Sequence, residues 1–170
     1  THEEFDPLRA LRVLLHQGVR FVLIGGYAAS LRGSPVITGD LDICYARREA
    51  DLEKLAAALR QLRATLRGAP RDLPFQLDAK TLAAGDHFTF STTAGPLDCL
   101  GTPAGTRGFD DLDERATDED LEGLTVRVAS IEDLMRMKRG LQRPKDRIAL
   151  EWLAALREEL DRGDDPEIST

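Results

Sequence analysis

A chain of 170 residues, 42% hydrophobic and 31% charged with a net charge of −7, is long enough for one core and too short for two independent domains. No apolar run approaches a membrane span and charges run through the N-terminal stretch, so neither a spanning helix nor a secretory signal is read, and the expectation is a cytoplasmic protein with no membrane partner. The acidic balance argues against a broad nucleic-acid-coating surface, because phosphate affinity comes mostly from lysine and arginine, although a local basic site is compatible with it. Acids crowd 110–122 and basic residues crowd 136–147. A solvated face is the plain reading of each run, above all of the acidic one. Cys44 and Cys99 lack metal-ligand spacing and read as buried, reduced thiols.

In chain order, Leu8, Leu11, Leu14 and Leu15 lie at helical spacing and stop at Gly18, which predicts a helix over 5–17. "VRFVLIG" reads as a strand ending at Gly25-Gly26, and "YAASLRG" as the compact helix after it. "DLDICYA" is the next strand and 48–63 an amphipathic helix, followed by a poorly patterned stretch around Pro70 and Pro74. Alternation in "DHFTFSTTAGPLDCLGT" predicts a hairpin turned at Ala94-Gly95-Pro96. A short helix is expected within 107–123. "LTVRVAS" reads as a strand, and Ser130 with Asp133 as the capping pattern of a further helix. Pro144 suits the first turn of a last helix, on which Ile148, Trp152, Leu156 and Leu160 repeat every fourth residue. The tail after it is expected to fray.

Two features carry chemistry. A strand that runs through Gly25-Gly26 into a helix leaves free backbone N–H groups where a phosphate can approach closely. Glycine is also commonplace at purely structural turns, and neither of the familiar phosphate-loop spacings is present. Asp40 and Asp42, two apart on a strand, send both carboxylates to one face with Cα atoms about 6.5 to 7 Å apart. Such a pair is either a solvated strand end or a ligand set for hard divalent cations. Asp98, in "LDCL", echoes Asp42 in "LDIC" as an acid inside an apolar strand and is the candidate third ligand. Asp78 is the lower-ranked rival, and Asp86 reads as turn chemistry. His2, His16 and His87 show no pairing and read as surface or core residues.

A glycine pair opening a helix, an Asp-x-Asp on the next strand and a later strand with one more Asp resemble the nucleotidyltransferase superfamily of the DNA polymerase beta-like fold. Within it, "LIGGYAASLRGSPVITGDLDI" and "VRVASIEDLMRMKRGLQRPKDRIALEWL" are similar to the AbiEii toxin-like minimal enzymes. The resemblance implies an α/β (α+β) fold: a small mixed sheet of the palm type with helices packed on one face, a core over 1–129, a helical element over 130–163 and a tail over 164–170. It implies that Asp40, Asp42 and Asp98 bind Mg²⁺ or Mn²⁺, with Asp98 also the general base. Gly25, Gly26, Thr38, Lys138 and Asp146 would serve the nucleoside triphosphate. Where that branch carries an arginine this chain has Val36, and Arg32 at the helix end is the candidate substitute. The implied acceptor is tRNA or a protein, with a cognate antitoxin as partner. Nucleotide transfer to an antibiotic hydroxyl and a non-catalytic nucleotide- or partner-binding module are the alternatives.

Overall fold

The computed structural model describes residues 4–70, 75–141 and 143–163. Outside them lie His2, Pro74 and the tail from residue 164 that is expected to fray. At the centre, β1 (Phe21–Ile24) and β2 (Leu41–Tyr45) run antiparallel with Ile24 opposite Asp42. Every residue of β1 is buried, as are Leu41, Ile43, Cys44 and Tyr45, so both faces of the sheet are covered here. Burial on both faces is the condition under which a strand reads as an unbroken apolar run. Beside β2, the parallel strand β5 (Gly95–Leu100) brings the two similar quartets together residue for residue: Leu41 with Leu97, Asp42 with Asp98, Ile43 with Cys99, Cys44 with Leu100. Beyond β5 lie β4 (His87–Thr92) and the short β3 (Thr65–Leu66), each antiparallel to its neighbour. On the far side of β1, β7 (Leu124–Val128) runs parallel to it and β6 (Thr117–Leu121) closes the edge, which gives the order β3-β4-β5-β2-β1-β7-β6.

Helix α1 (Pro7–His16) opens on Asp6, whose carboxylate accepts the Arg9 N–H at 3.1 Å. With Pro7 in the first turn, this is the arrangement that satisfies an orphan donor and pre-sets the backbone. Strand β1 passes directly into α2 (Gly25–Leu31), which contacts β1, β2 and α6. Helix α3 (Glu49–Gln61) packs on α1 and on α4 (Ala79–Ala84), while α5 (Phe109–Asp113) lies against β1. The Ser130 hydroxyl accepts the Asp133 N–H at 3.1 Å to open α6 (Ile131–Arg139), and α7 (Pro144–Gly163) packs on α6. Cys44 and Cys99 are free and buried; burial, above all, pushes the Cys44 thiol up to about 12 and raises Cys99 as well. Among the described residues no helix is long and apolar enough to cross a membrane.

Two expectations are corrected and one element is added. The hairpin turns at Thr93-Ala94, because Thr92 already faces Gly95 and Ser91 faces Pro96. Strand β2 meets β5 only from Leu97 onward, so Pro96 sits where its strand has an open side and its missing N–H is tolerated. The short helix expected within 107–123 is α5, and beyond it residues 117–121 add a strand, paired to β7 through a turn at Glu122 and Gly123 with φ of 51° and 88°, the left-handed pair of a type I′ hairpin. On α7, Ile148, Trp152 and Leu160 are exposed at 55%, 45% and 57%, whereas Asp146 and Leu153 are buried. A four-residue repeat drifts by about 40° per step around a helix of 3.6 residues per turn, so it cannot keep to one face, and the buried positions Asp146 and Leu153 fall outside it.

The two charged runs are also more than solvated faces. Arg136 meets Asp111 at 2.9 Å and Asp133 at 3.3 Å, Arg127 meets Asp113 at 2.7 Å, and Arg32 meets Glu119 at 2.8 Å. Acids from 110–122 therefore fasten α5 to α6 and to β7, and the end of α2 to β6.

Candidate active site

Because β1 and β2 are antiparallel, the end of β1 and the start of β2 share one end of the sheet. That topology brings the glycine turn against the acids. The parallel register then sets Asp42 beside Asp98 on the neighbouring strand, with both side chains on one face at the strand spacing of about 4.8 Å. One carboxylate oxygen from each of Asp40, Asp42 and Asp98 lies within 4.8 Å of the others, and all three residues are half-buried. The three acids singled out in the sequence thus converge.

Gly25 has φ of +73°, and a Cβ placed on it would fall 2.0 Å from Asp42 Oδ2 and 2.8 Å from Asp42 Cβ. Glycine is required here by the aspartate that packs on it as well as by its left-handed backbone. No side chain caps the first turn of α2. Gly26 lies against Thr38, whose Cβ would be 3.1 Å from an added methyl. The Thr38 hydroxyl donates to Asp40 Oδ1 at 2.9 Å, so Thr38 touches the acid that precedes β2 and orients it.

Electrostatically the trio is under strain. Burial first, then the charges of Asp40 and Asp98 and a hydrogen bond with Asp98, push the Asp42 carboxyl up to about 7, against a downward pull from Lys138. Crowded acids that cannot all ionise together are the expected response to like charges in a shared, partly desolvated site. Two cationic side chains stand nearby. Arg67, just past β3, donates to Asp98 Oδ1 at 2.9 Å and to the Phe90 carbonyl at 2.8 Å. Lys138 on α6 donates to Asp146 Oδ1 at 3.1 Å. Asp146 is buried on α7 and also accepts the Arg143 backbone N–H at 3.2 Å and its Nε at 2.7 Å. Burial pushes Asp146 upward, and its bonds to Arg143 and Lys138 more than offset that, so it stays below the ordinary carboxylate range. Beside this pair a pocket of about 240 Å³ is lined by Lys138, Arg139, Asp146, Arg147 and Leu150.

Other candidates lie apart from this cluster. Arg32 gives its guanidinium to the Ala129 and Val128 carbonyls, Glu119 and Thr117 over 2.7 to 3.1 Å, so its donors are engaged on β6 and β7. Asp78 caps α4, accepting the Thr81 N–H at 2.8 Å. Asp86 holds the turn at Thr102 through its N–H and hydroxyl, both at 3.1 Å. Val36 is exposed. Sequence reasoning missed Arg67, and nothing local in "TLRGAP" marks it, since its partner is 31 positions away.

The donor set fits a hard divalent ion. Oxygen ligands sharing one Mg²⁺ stand at most about 4.2 Å apart, given bonds near 2.1 Å. The three oxygens, all within 4.8 Å of one another, stand near that span, and a cation would relieve the repulsion that raises Asp42.

This arrangement of strands and helices is the nucleotidyltransferase fold. The chain superposes on the lincomycin-bound lincosamide antibiotic adenylyltransferase LnuA with a TM-score of 0.58 at 15% identity, over 88% of this chain and 95% of that one. It superposes on the antibiotic-resistance factor ANT(2'')-Ia with a TM-score of 0.52 at 14% identity, over 92% of this chain and 91% of that one. No family model and no curated protein matches the sequence.

Proposed function

We propose that this chain is a metal-dependent nucleotidyltransferase that moves a nucleoside monophosphate from a nucleoside triphosphate to an acceptor hydroxyl. The observation that carries the reading is the convergence of Asp40, Asp42 and Asp98 oxygens within 4.8 Å beside the Gly25 turn. Mg²⁺ or Mn²⁺ held there would neutralise the charge that gathers on the departing pyrophosphate and sharpen the attacking oxygen. Transfer of this kind is mostly positioning and charge, so no covalent nucleophile from the protein is required. Asp98 accepts the acceptor's proton as its oxygen bonds to the α-phosphorus. The bond from that phosphorus to the bridging oxygen breaks, and pyrophosphate leaves with the electron pair. Thr38 steadies Asp40, the uncapped N–H groups of Gly25 and Gly26 meet the triphosphate, and Lys138, held by Asp146, offers it a positive charge. Arg32, on this reading, supports the nucleotide from the end of α2 without touching the trio.

Two acceptor classes follow from different observations. The motifs of the toxin-like enzymes, together with the basic pocket between α6 and α7, support tRNA or a protein, with a cognate antitoxin. Near-complete overlap with the lincosamide antibiotic adenylyltransferase LnuA, over 95% of that chain, supports a small hydroxylated antibiotic.

Incubation with each α-labelled triphosphate and Mg²⁺, offering total RNA, lysate protein and hydroxylated antibiotics in parallel, decides among them. Label is expected on one acceptor class and falls at least about a thousandfold in Asp42→Ala. Transfer that survives the substitution overturns the mechanism. Tight metal-dependent nucleotide binding with no transfer to any acceptor assigns the chain to the binding modules.

A further inference from the structure

Three like charges share one end of the sheet, and among the described residues the cation hydrogen-bonded to them is Arg67. Its placement is built from the main chain outward. The Arg67 N–H donates to the Thr89 carbonyl at 2.9 Å, which extends the β3–β4 pairing by one residue. Thr89 in turn lies opposite Asp98. Arg67, Thr89 and Asp98 therefore form one row across three strands, spanning roughly 9 to 10 Å at two strand spacings. The side chain crosses that row and is pinned along it by the Phe90 carbonyl at 2.8 Å before reaching Asp98 Oδ1 at 2.9 Å. Its exposure of 37%, against 16% for Asp98, sets the guanidinium at the rim of the site. A short edge strand has no other visible reason to carry an arginine directed inward across its neighbour.

We infer that Arg67 is the built-in counter-ion of the carboxylate trio, a positioning residue that fixes Asp98 and holds divalent-metal affinity down until nucleotide adds its own phosphates. This rests on the proposed reading of Asp98 as a metal ligand. A fixed monovalent charge within hydrogen-bonding distance of a ligand oxygen both satisfies that oxygen and repels an incoming dication. Even under the screening of bulk water, a single and a double positive charge about 5 Å apart repel enough to weaken metal binding on the order of tenfold. Phosphate oxygens of a bound triphosphate supply further ligands and offset the repulsion, so metal and nucleotide load together.

Calorimetric titration of the full chain with Mn²⁺ alone, without nucleotide, tests this in wild type, Arg67→Gln, Arg67→Lys and Asp98→Asn, with melting temperatures in EDTA and in Mn²⁺ alongside. Arg67→Gln is expected to bind Mn²⁺ about tenfold more tightly, to melt lower in EDTA and to gain more from Mn²⁺ than wild type does. Arg67→Lys, which keeps the charge, is expected to stay near wild type in affinity. Arg67→Met repeats the comparison should the glutamine variant not purify folded. Wild type that binds Mn²⁺ with no gain in Arg67→Gln, or lysine and glutamine variants that behave alike, overturns the counter-ion role alone. Mn²⁺ that binds neither wild type nor Arg67→Gln, or that binds Asp98→Asn unchanged, overturns this inference together with the metal-site reading beneath it.

Discussion

Asp42 carries the site's electrostatic tension, and its pH dependence follows from its position. The folded protein holds the Asp42 proton up to about pH 7, whereas an unfolded chain releases it near the ordinary aspartate value of about 4. The raised value means that the group contributes stability fully below about pH 4 and that the contribution is lost as pH rises through 7. Chemical denaturation in EDTA is therefore expected to show stability falling across that window. Asp42→Asn should flatten the fall and exceed wild type above pH 7 by about 2 to 4 kcal/mol; an unchanged slope in the variant would contradict the assignment. Gly25 gives a second prediction. An added methyl meets Asp42 Oδ2 at 2.0 Å on a backbone with φ of +73°, so Gly25→Ala is expected to cost about 1 to 3 kcal/mol from the backbone alone, and more from the clash. Pairing it with Asp42→Gly should recover the clash part, which urea melts of the double-mutant cycle would resolve as non-additivity. A cost of Gly25→Ala that is the same in the wild-type and Asp42→Gly backgrounds would show that the aspartate is not what Gly25 accommodates. The sequence marks both residues as unusual, but only the Ile24–Asp42 pairing reveals that one makes room for the other.

Elements were legible where periodicity and caps agreed and obscure where charge overrode propensity. Ser130 announces its helix because a single oxygen satisfies an orphan N–H, whereas the Asp6 cap of α1 emerges only in the structure. The strand 117–121 hides because Asp118, Glu119 and Asp120 are poor strand formers, yet acids on an edge strand block unwanted pairing with other chains and suit that position. Its value lies in what it holds: Arg32 ties α2 to Thr117, Glu119 and the carbonyls of Val128 and Ala129. Arg32→Met is expected to lower stability by about 2 to 3 kcal/mol and to weaken nucleotide binding only through the tilt of α2. Titration with a triphosphate would show a large affinity loss at unchanged stability if the guanidinium instead contacts nucleotide. The junction of α6 and α7 makes a sharper case. Asp146 is 1% exposed and takes both Lys138 and Arg143, so Asp146→Ala, which leaves two cations without their partner, should cost about 2 to 4 kcal/mol. In thermal melts that loss should shrink when Lys138→Met is added; a loss of the same size in both backgrounds would separate Lys138 from the junction.

Across the whole molecule the site was readable because a parallel pairing turned two similar quartets into one cluster. "LDIC" and "LDCL" align in register, and an acid in an apolar strand is conspicuous in a linear chain. Arg67 was not readable, since its link to Asp98 runs across three strands and depends on sheet order, which composition does not encode. The same holds for part of the acidic run, in which Asp111, Asp113 and Glu119 find arginines on other elements while Asp110, Glu114, Asp120 and Glu122 stay exposed. One measurement bears most directly on the central claim: anomalous scattering from crystals grown with Mn²⁺ and a non-hydrolysable triphosphate. The account predicts a peak within about 2.2 Å of oxygens from Asp40, Asp42 and Asp98 together, with the triphosphate beside the Gly25 turn. Density for Mn²⁺ elsewhere, or none at the trio under saturating metal and nucleotide, would contradict it.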